Sequence, residues 1–303
     1  KNIRKNFNLA KNAEITVEAN PFSAAKKTLK TLKRAGVNRL SIGVQSANES
    51  ELKKLGRLHS FSDFEHTYKT ARLLKFKNIS VDIMYGIPDQ TWESLCETLD
   101  KIIALAPEHI SLYGLKIEEG TPFFEARDRL ALPDEDTEAD MYFAAAEKLE
   151  KAGYNQYEIS NFAKNGYECK HNLKYWNCDE YLGLGTAASS YLNGRRFSFV
   201  KDIKLYNKVL LHESGENILS EYLEVPQNEN IGEYVMLRFR LNDGISKEAF
   251  RLRFHNKNFD EMFYKKLEPF IKSGHVEITS DGYAFNRKGF YISNYILARI
   301  LDF

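Results

Sequence analysis

Short apolar runs of strand length alternate with stretches of helical periodicity through the first half of the chain. The run Glu14–Glu18 (EITVE) reads as a β-branched strand closed by Asn20-Pro21. Ser23 is placed to cap a helix reaching Ala35, with Leu29 and Leu32 on one face and Gly36 as its stop. Leu40–Gln45 (LSIGVQ) and Ile79–Tyr85 (ISVDIMY) are the next strands, and Gly86 and Pro88 end the latter. His109–Leu115 (HISLYGL) is the fourth. Helices are expected around Glu51–Leu55, over Phe61–Leu74, over Thr91–Ala104 with Leu95, Leu99 and Ile102 in register, and over Glu135–Ala152 before Gly153. A further strand is expected near Gln156–Ile159. Strand and helix in a repeat of roughly thirty residues predict parallel strands joined by helical crossovers. A whole or partial barrel and a doubly wound sheet both satisfy that pattern.

The texture changes after Asn161, where glycine, asparagine and aromatic residues cluster as far as Phe199. A helix is expected over Lys201–His212. Helices over Glu233–Leu241, Ser246–Phe254 and Asp260–Ser273 then lead to a hairpin, His275–Thr279 and Tyr283–Phe285, turned by Ser280-Asp281-Gly282. Helices followed by a two-stranded wing resemble a winged-helix module, and Tyr291–Leu301 closes it as a last helix. The pattern divides the chain into an α/β domain over residues 1–165, a connecting region over 166–225 and a C-terminal α+β domain over 226–303.

Composition narrows the partners. Basic and acidic residues, 43 and 42, cancel to a net charge of +1, which provides no global attraction to nucleic acid or anionic lipid. No apolar run is long enough to span a membrane, so membrane contact is at most peripheral. Three cysteines (Cys96, Cys169, Cys178) are too few for a disulfide framework and fit a reducing cytoplasm. The first residue is Lys, and the chain reads as the greater part of a longer protein.

In parallel α/β architectures the site lies at the carboxyl ends of the strands. Here those ends carry Glu18, Gln45 and Asp82, with Arg57 and His59 in the loop region after the second strand. Carboxylates accept hydrogen bonds from ribose hydroxyls or an ammonium, Gln45 donates and accepts, and Arg57 pairs with an α-carboxylate. The set suits a nucleoside–amino-acid zwitterion. Taken singly, each residue is equally explained as an ordinary polar strand end. A second cluster is His171–Trp176 (HNLKYW). Its imidazole has the chemistry of a haem axial ligand, and Tyr175 and Trp176 that of a porphyrin stack. A lone histidine among aromatics is also a common structural feature. Cys169, His171 and Cys178 are too few and too unevenly spaced for a convincing metal site.

The ordered strings EITVEANP, VNRLSIGVQS, LGRLHS, NISVDIMYGIP, HISLYGLKIEEGT, YEISNFA, HNLKYW and YLGLGTAA resemble the successive motifs of the coproporphyrinogen-dehydrogenase-like radical S-adenosylmethionine (SAM) family. The likeness runs from Ala13 to Ser190 and continues more weakly through EYVMLRFRLNDGIS. It implies a partial (β/α) radical SAM barrel that lacks its first strands, plus the family's C-terminal winged-helix-like domain. It also implies that Glu18, Gln45, Arg57 and Asp82 contact SAM. HNLKYW matches the HNxxYW motif of the HemW-type haem-chaperone branch, which implies haem binding through His171, Tyr175 and Trp176, with His171 on the iron. The expected function is therefore delivery of haem to proteins such as respiratory cytochromes; the alternative is oxidative decarboxylation of coproporphyrinogen. The family's [4Fe–4S] cluster is held by a CxxxCxxC loop, which these residues do not contain. The polypeptide as given is not expected to hold the cluster. By the same resemblance the C-terminal module covers the barrel mouth and does not bind nucleic acid.

Overall fold

A computed structural model describes residues 2–21, 24–212 and 217–301. It divides into two compact units, residues 1–169 and 170–303.

The first unit runs α1 (Asn2–Asn6), β1 (Thr16–Ala19), α2 (Lys26–Ala35), β2 (Arg39–Gln45), α3 (Glu49–Lys54), α4 (Phe61–Leu73) and β3 (Ile79–Tyr85). It continues through α5 (Trp92–Leu105), β4 (His109–Gly114), α6 (Pro122–Ala126), α7 (Glu135–Lys151), β5 (Asn155–Glu158) and β6 (Asn161–Ala163). The six strands form one sheet in the order β1-β2-β3-β4-β6-β5. The first four are parallel; β6 and β5 run antiparallel as a terminal hairpin. Strands β1 to β4 lie side by side in chain order, with no reversal and hence no topological switch point. That settles the choice left open by periodicity. Successive crossovers of one hand place their helices on one face, the winding of a barrel wall rather than of a doubly wound sheet.

The register explains the alternation within each strand. Leu40, Ile42, Ile79, Val81, Ile83, Ile110 and Leu112 are buried, and together they make one face. Phe64 and Tyr68 of α4, Leu95, Leu99 and Ile102 of α5, and Met141, Tyr142 and Leu149 of α7 are the buried stripes of the covering helices. Each such side chain contributes about 1.5–3 kcal/mol by leaving water. The opposite face is polar. Glu18 stands opposite Ser41, Ser41 opposite Ser80, Gly43 opposite Asp82, and Asp82 opposite Ser111. A sheet buried on both sides by helices reads as unbroken apolar runs; this one keeps a polar wall.

Local signals set the boundaries. Asn48 caps α3 by accepting from Ser50 N, Ser60 and Asp63 form a capping box on α4, and Thr91 and Asp134 cap α5 and α7. Gly36 ends α2 at φ 92°, a conformation glycine adopts freely. Helix α2 begins after Ala25, and the expected Ser23 cap lies outside the described residues.

The second unit runs α8 (Lys170–Trp176), β7 (Ser189–Leu192), β8 (Arg195–Phe199), α9 (Ile203–His212), β9 (Leu219–Glu224), α10 (Gln227–Arg238), β10 (Ile245–Ser246) and α11 (Lys247–Arg253). It ends with α12 (Phe259–Lys272), β11 (Val276–Ile278), β12 (Gly282–Phe285), α13 (Arg287–Tyr291) and α14 (Ser293–Leu301). The region expected only as a connection holds a three-stranded antiparallel sheet, β7-β8-β9. Its first hairpin turns at Asn193-Gly194, both at positive φ (51° and 70°), the backbone of a tight hairpin turn. The C-terminal helices and the sheet β10-β12-β11 close on an aromatic core in which Phe239 stacks on Phe285 at 4.5 Å and Phe250 meets Phe259 at 5.2 Å. Helix α10 starts six residues earlier than its apolar pattern indicated, from Pro226 as N-cap. No helix among the described residues is long and apolar enough to cross a membrane.

Candidate adenosyl and porphyrin sites

The polar wall of the first unit gathers three of the four residues expected at the adenosyl site. Asp82 accepts from Ser41 Oγ at 3.2 Å, which ties β3 to β2 on that face. A bulge after Gly43 sets Gln45 opposite Ile83, and Gln45 takes φ 71°. Its amide thereby folds back over the strand: a Cβ added at Gly43 would lie 2.7 Å from Gln45 Nε2 and 4.0 Å from Asp82 Oδ2. The absent side chain at Gly43 leaves room for the Gln45 amide and the Asp82 carboxylate to converge. Glu18 is exposed on the same face, opposite Ser41.

Burial pushes the Asp82 carboxyl above its ordinary range, and the neighbouring Glu18 charge acts in the same direction. Hydrogen bonds from Ser111 and Ser41 and the charge of Arg39 oppose this shift. Two carboxylates flanking Ser41 favour a ligand that brings positive charge or hydroxyl donors. Arg57 is exposed in the loop after α3; no contact among the described residues brings it to the other three. His59 does not line a mouth. It is buried, with Nε2 3.2 Å from the Val44 carbonyl, and supports the end of β2 from behind.

Sequence reasoning passed over two supports of this wall. Glu51 is 2% exposed, and its carboxylate accepts from Ser46, Gln90 and Ser94. Ser46 follows Gln45 directly and Gln90 lies in the loop beyond β3, so one carboxylate binds together the exits of the strands that carry Gln45 and Asp82. The available signal was an acid beside Leu52 in so short a helix. Lower on the wall, His109 bridges Ser80 Oγ through Nδ1 and the Tyr157 hydroxyl through Nε2, each at 2.8 Å. Burial, and then the charge of Arg39, hold this imidazole well below its usual pKa, so it is neutral. Ser80 and Tyr157 engage both of its ring nitrogens within the wall.

The second candidate site is in the second unit. Helix α8 carries the whole HNLKYW motif. His171 is exposed and meets Tyr175, one turn on, edge to face at 4.9 Å between centroids. Tyr175 in turn meets Tyr181 at 4.7 Å. The Trp176 indole N–H is buried with no acceptor, and the Arg240 guanidinium sits 5.6 Å over its ring. An exposed imidazole braced by an aromatic ring fits an axial ligand to a planar iron porphyrin. The three cysteines do not fit an iron–sulfur cluster: among the described residues no His, Cys, Asp or Glu side chains gather into a metal-binding group, and Cys178 is a part-buried thiol pushed up by that burial to about 11.

Comparison with known proteins places the chain in a family. Residues 1–102 match the model of the radical SAM superfamily and residues 225–292 that of the HemN C-terminal domain. The heme chaperone HemW of Bacillus subtilis is 37% identical over 291 residues, which cover 95% of this chain and 76% of that protein. The heme chaperone HemW of Escherichia coli is 33% identical, over 99% of this chain and 78% of its own. In fold, the chain is similar to the coproporphyrinogen III oxidase HemN of Escherichia coli, a radical SAM enzyme, with a TM-score of 0.82 over 98% of this chain and 72% of that one at 23% identity. Identity of this extent along nearly the whole length makes the chain a member of the HemW family of radical SAM proteins.

Proposed function

We propose that this chain is a haem chaperone: it binds haem on α8 and passes it to acceptor proteins, respiratory cytochromes among them, in the cytoplasm. The observation that carries the reading is the exposed His171 on a helix whose other motif residues, Tyr175 and Trp176, supply aromatic surface. A chaperone must release its cargo, and an exposed helix binds with less burial than an enclosed pocket. The chaperone name of the curated relatives favours this reading over coproporphyrinogen oxidation.

SAM is the second ligand. Gln45 and Asp82 are the residues we assign to hold it, with Glu18 completing the acidic rim and Arg57 meeting its carboxylate. SAM supplies a sulfonium and an amino-acid zwitterion, which complement acids and an arginine respectively. This chain's thiols do not form the convergent set that a cluster needs, and no radical step is assigned to its residues.

The test is a haem titration followed in the Soret band. His171→Ala is expected to weaken binding at least tenfold and to shift the band away from that of an imidazole-ligated iron. Unchanged affinity and spectrum in that variant would remove His171 from the site.

A further inference from the structure

Behind the motif helix the second unit contains a cavity of about 280 Å³ that the haem-binding motif does not account for. Its walls are Tyr175 of α8, Tyr181, Tyr191 of β7, and Met236 and Leu237 of α10, closed by the pair Arg196 and Glu233. We infer that this cavity seats the apolar, vinyl-bearing edge of protohaem, so that the site selects haem against porphyrins that carry propionates on every ring. The inference rests on the haem reading above and adds to it the orientation and identity of the macrocycle.

The argument is one of size, chemistry and charge. Tyr175 is shared: its ring meets His171 at 4.9 Å and also lines the cavity. A planar ligand coordinated by His171 therefore has an edge within one aromatic ring of the opening. The volume lies below the range of about 300–1,000 Å³ in which pockets bury a drug-sized ligand whole. It suits one substituted pyrrole edge and excludes the entire macrocycle.

The lining is mostly aromatic and aliphatic carbon, which favours vinyl and methyl groups. The charge in it is unsuited to a carboxylate. Arg196 is the one cationic residue of the lining and is already held by Glu233 through two hydrogen bonds of 2.8 Å, the strong bidentate geometry. Asp179 lines the cavity as well, so its acids outnumber its cation. The nearby guanidinium of Arg253 donates to the Cys178 carbonyl at 2.8 Å, and that of Arg238 to the Gly244 carbonyl at 3.0 Å and to Asn177. A propionate pushed inward would lose its water and meet carboxylates; directed outward, it stays solvated.

The experiment compares protohaem with coprohaem, which has propionates in place of both vinyl groups, by Soret titration of the chain. Wild type is expected to bind protohaem roughly tenfold or more tightly, the scale set by burying the two carbons of one vinyl group. Met236→Trp, which fills the cavity from a half-buried helix position, is expected to weaken protohaem toward the coprohaem value while the imidazole-ligated spectrum persists. Equal affinity of wild type for the two haems overturns the inference, and that comparison needs no variant. Unaltered protohaem affinity in a folded Met236→Trp overturns it too. His171→Ala separates the levels: if it leaves both haems bound as before, the failure lies in the haem site itself and the inference falls with it.

Discussion

The surroundings of Asp82 oppose its charged form. Burial and Glu18 push its pKa up, and only two serine hydroxyls and Arg39 resist. An acid whose folded pKa exceeds its unfolded value makes the folded state bind more protons between the two. Stability is then whole below the ordinary carboxylate pKa and falls as pH rises through the raised one. Asp82→Asn keeps acceptor and shape but removes the charge. It is expected to raise the melting temperature at neutral pH, by an amount corresponding to roughly 0.5–2 kcal/mol, while weakening SAM. The gain should vanish near pH 4, and a gain that persists there would contradict this origin. His109 behaves oppositely. Its pKa is depressed by burial, so its contribution is present above the usual 6.5 and is lost as pH falls below that value. A pH series of melts for wild type and His109→Gln should show a flatter acid limb in the variant. The sequence marked Asp82 and Gln45 because they interrupt apolar strands. It did not mark His109, which opens its strand with no visible partner; Ser80 and Tyr157 are 29 and 48 positions away.

Elements were legible where one local signal decides them. Helices α3, α4, α5 and α7 begin at capping residues readable in the chain, and β3 has the expected ends. The hairpin partner β6 and the sheet β7-β8-β9 were not read. Strand β6 has three residues and is defined by its pairing with β4 and β5, a long-range choice. Strand β9 is exposed along nearly its whole length, so no apolar alternation announces it. The loops at the ends of β2 and β3 belong to the same class. Their geometry hangs on Glu51, which binds Ser46, Gln90 and Ser94 at once. Glu51→Ala would take the shared acceptor from three donors and leave them only longer contacts to Thr98, the Met84 carbonyl and the Thr91 carbonyl, at about 1–3 kcal/mol for each that is left unsatisfied. The expected result is a loss of several kcal/mol in denaturant melts together with weaker SAM binding. Full stability in that variant would show that the loops are held otherwise.

At the scale of the whole molecule, the two candidate sites fall in different compact units, on either side of Cys169 and Lys170. Every adenosyl residue named here lies in the first, and every porphyrin residue in the second. Sites without shared partners contribute additively, to within about 0.3–0.5 kcal/mol, whereas residues of one network couple by more. If ligation at each site draws only on its own unit, His171→Ala should reduce haem affinity and leave the dissociation constant for SAM, measured by equilibrium dialysis, within about twofold of wild type. Asp82→Ala should do the reverse, and the double variant should show the product of the two effects. Coupling well beyond that margin would mean that haem and SAM report on each other, and the two ligands would then have to be treated as belonging to one regulated site.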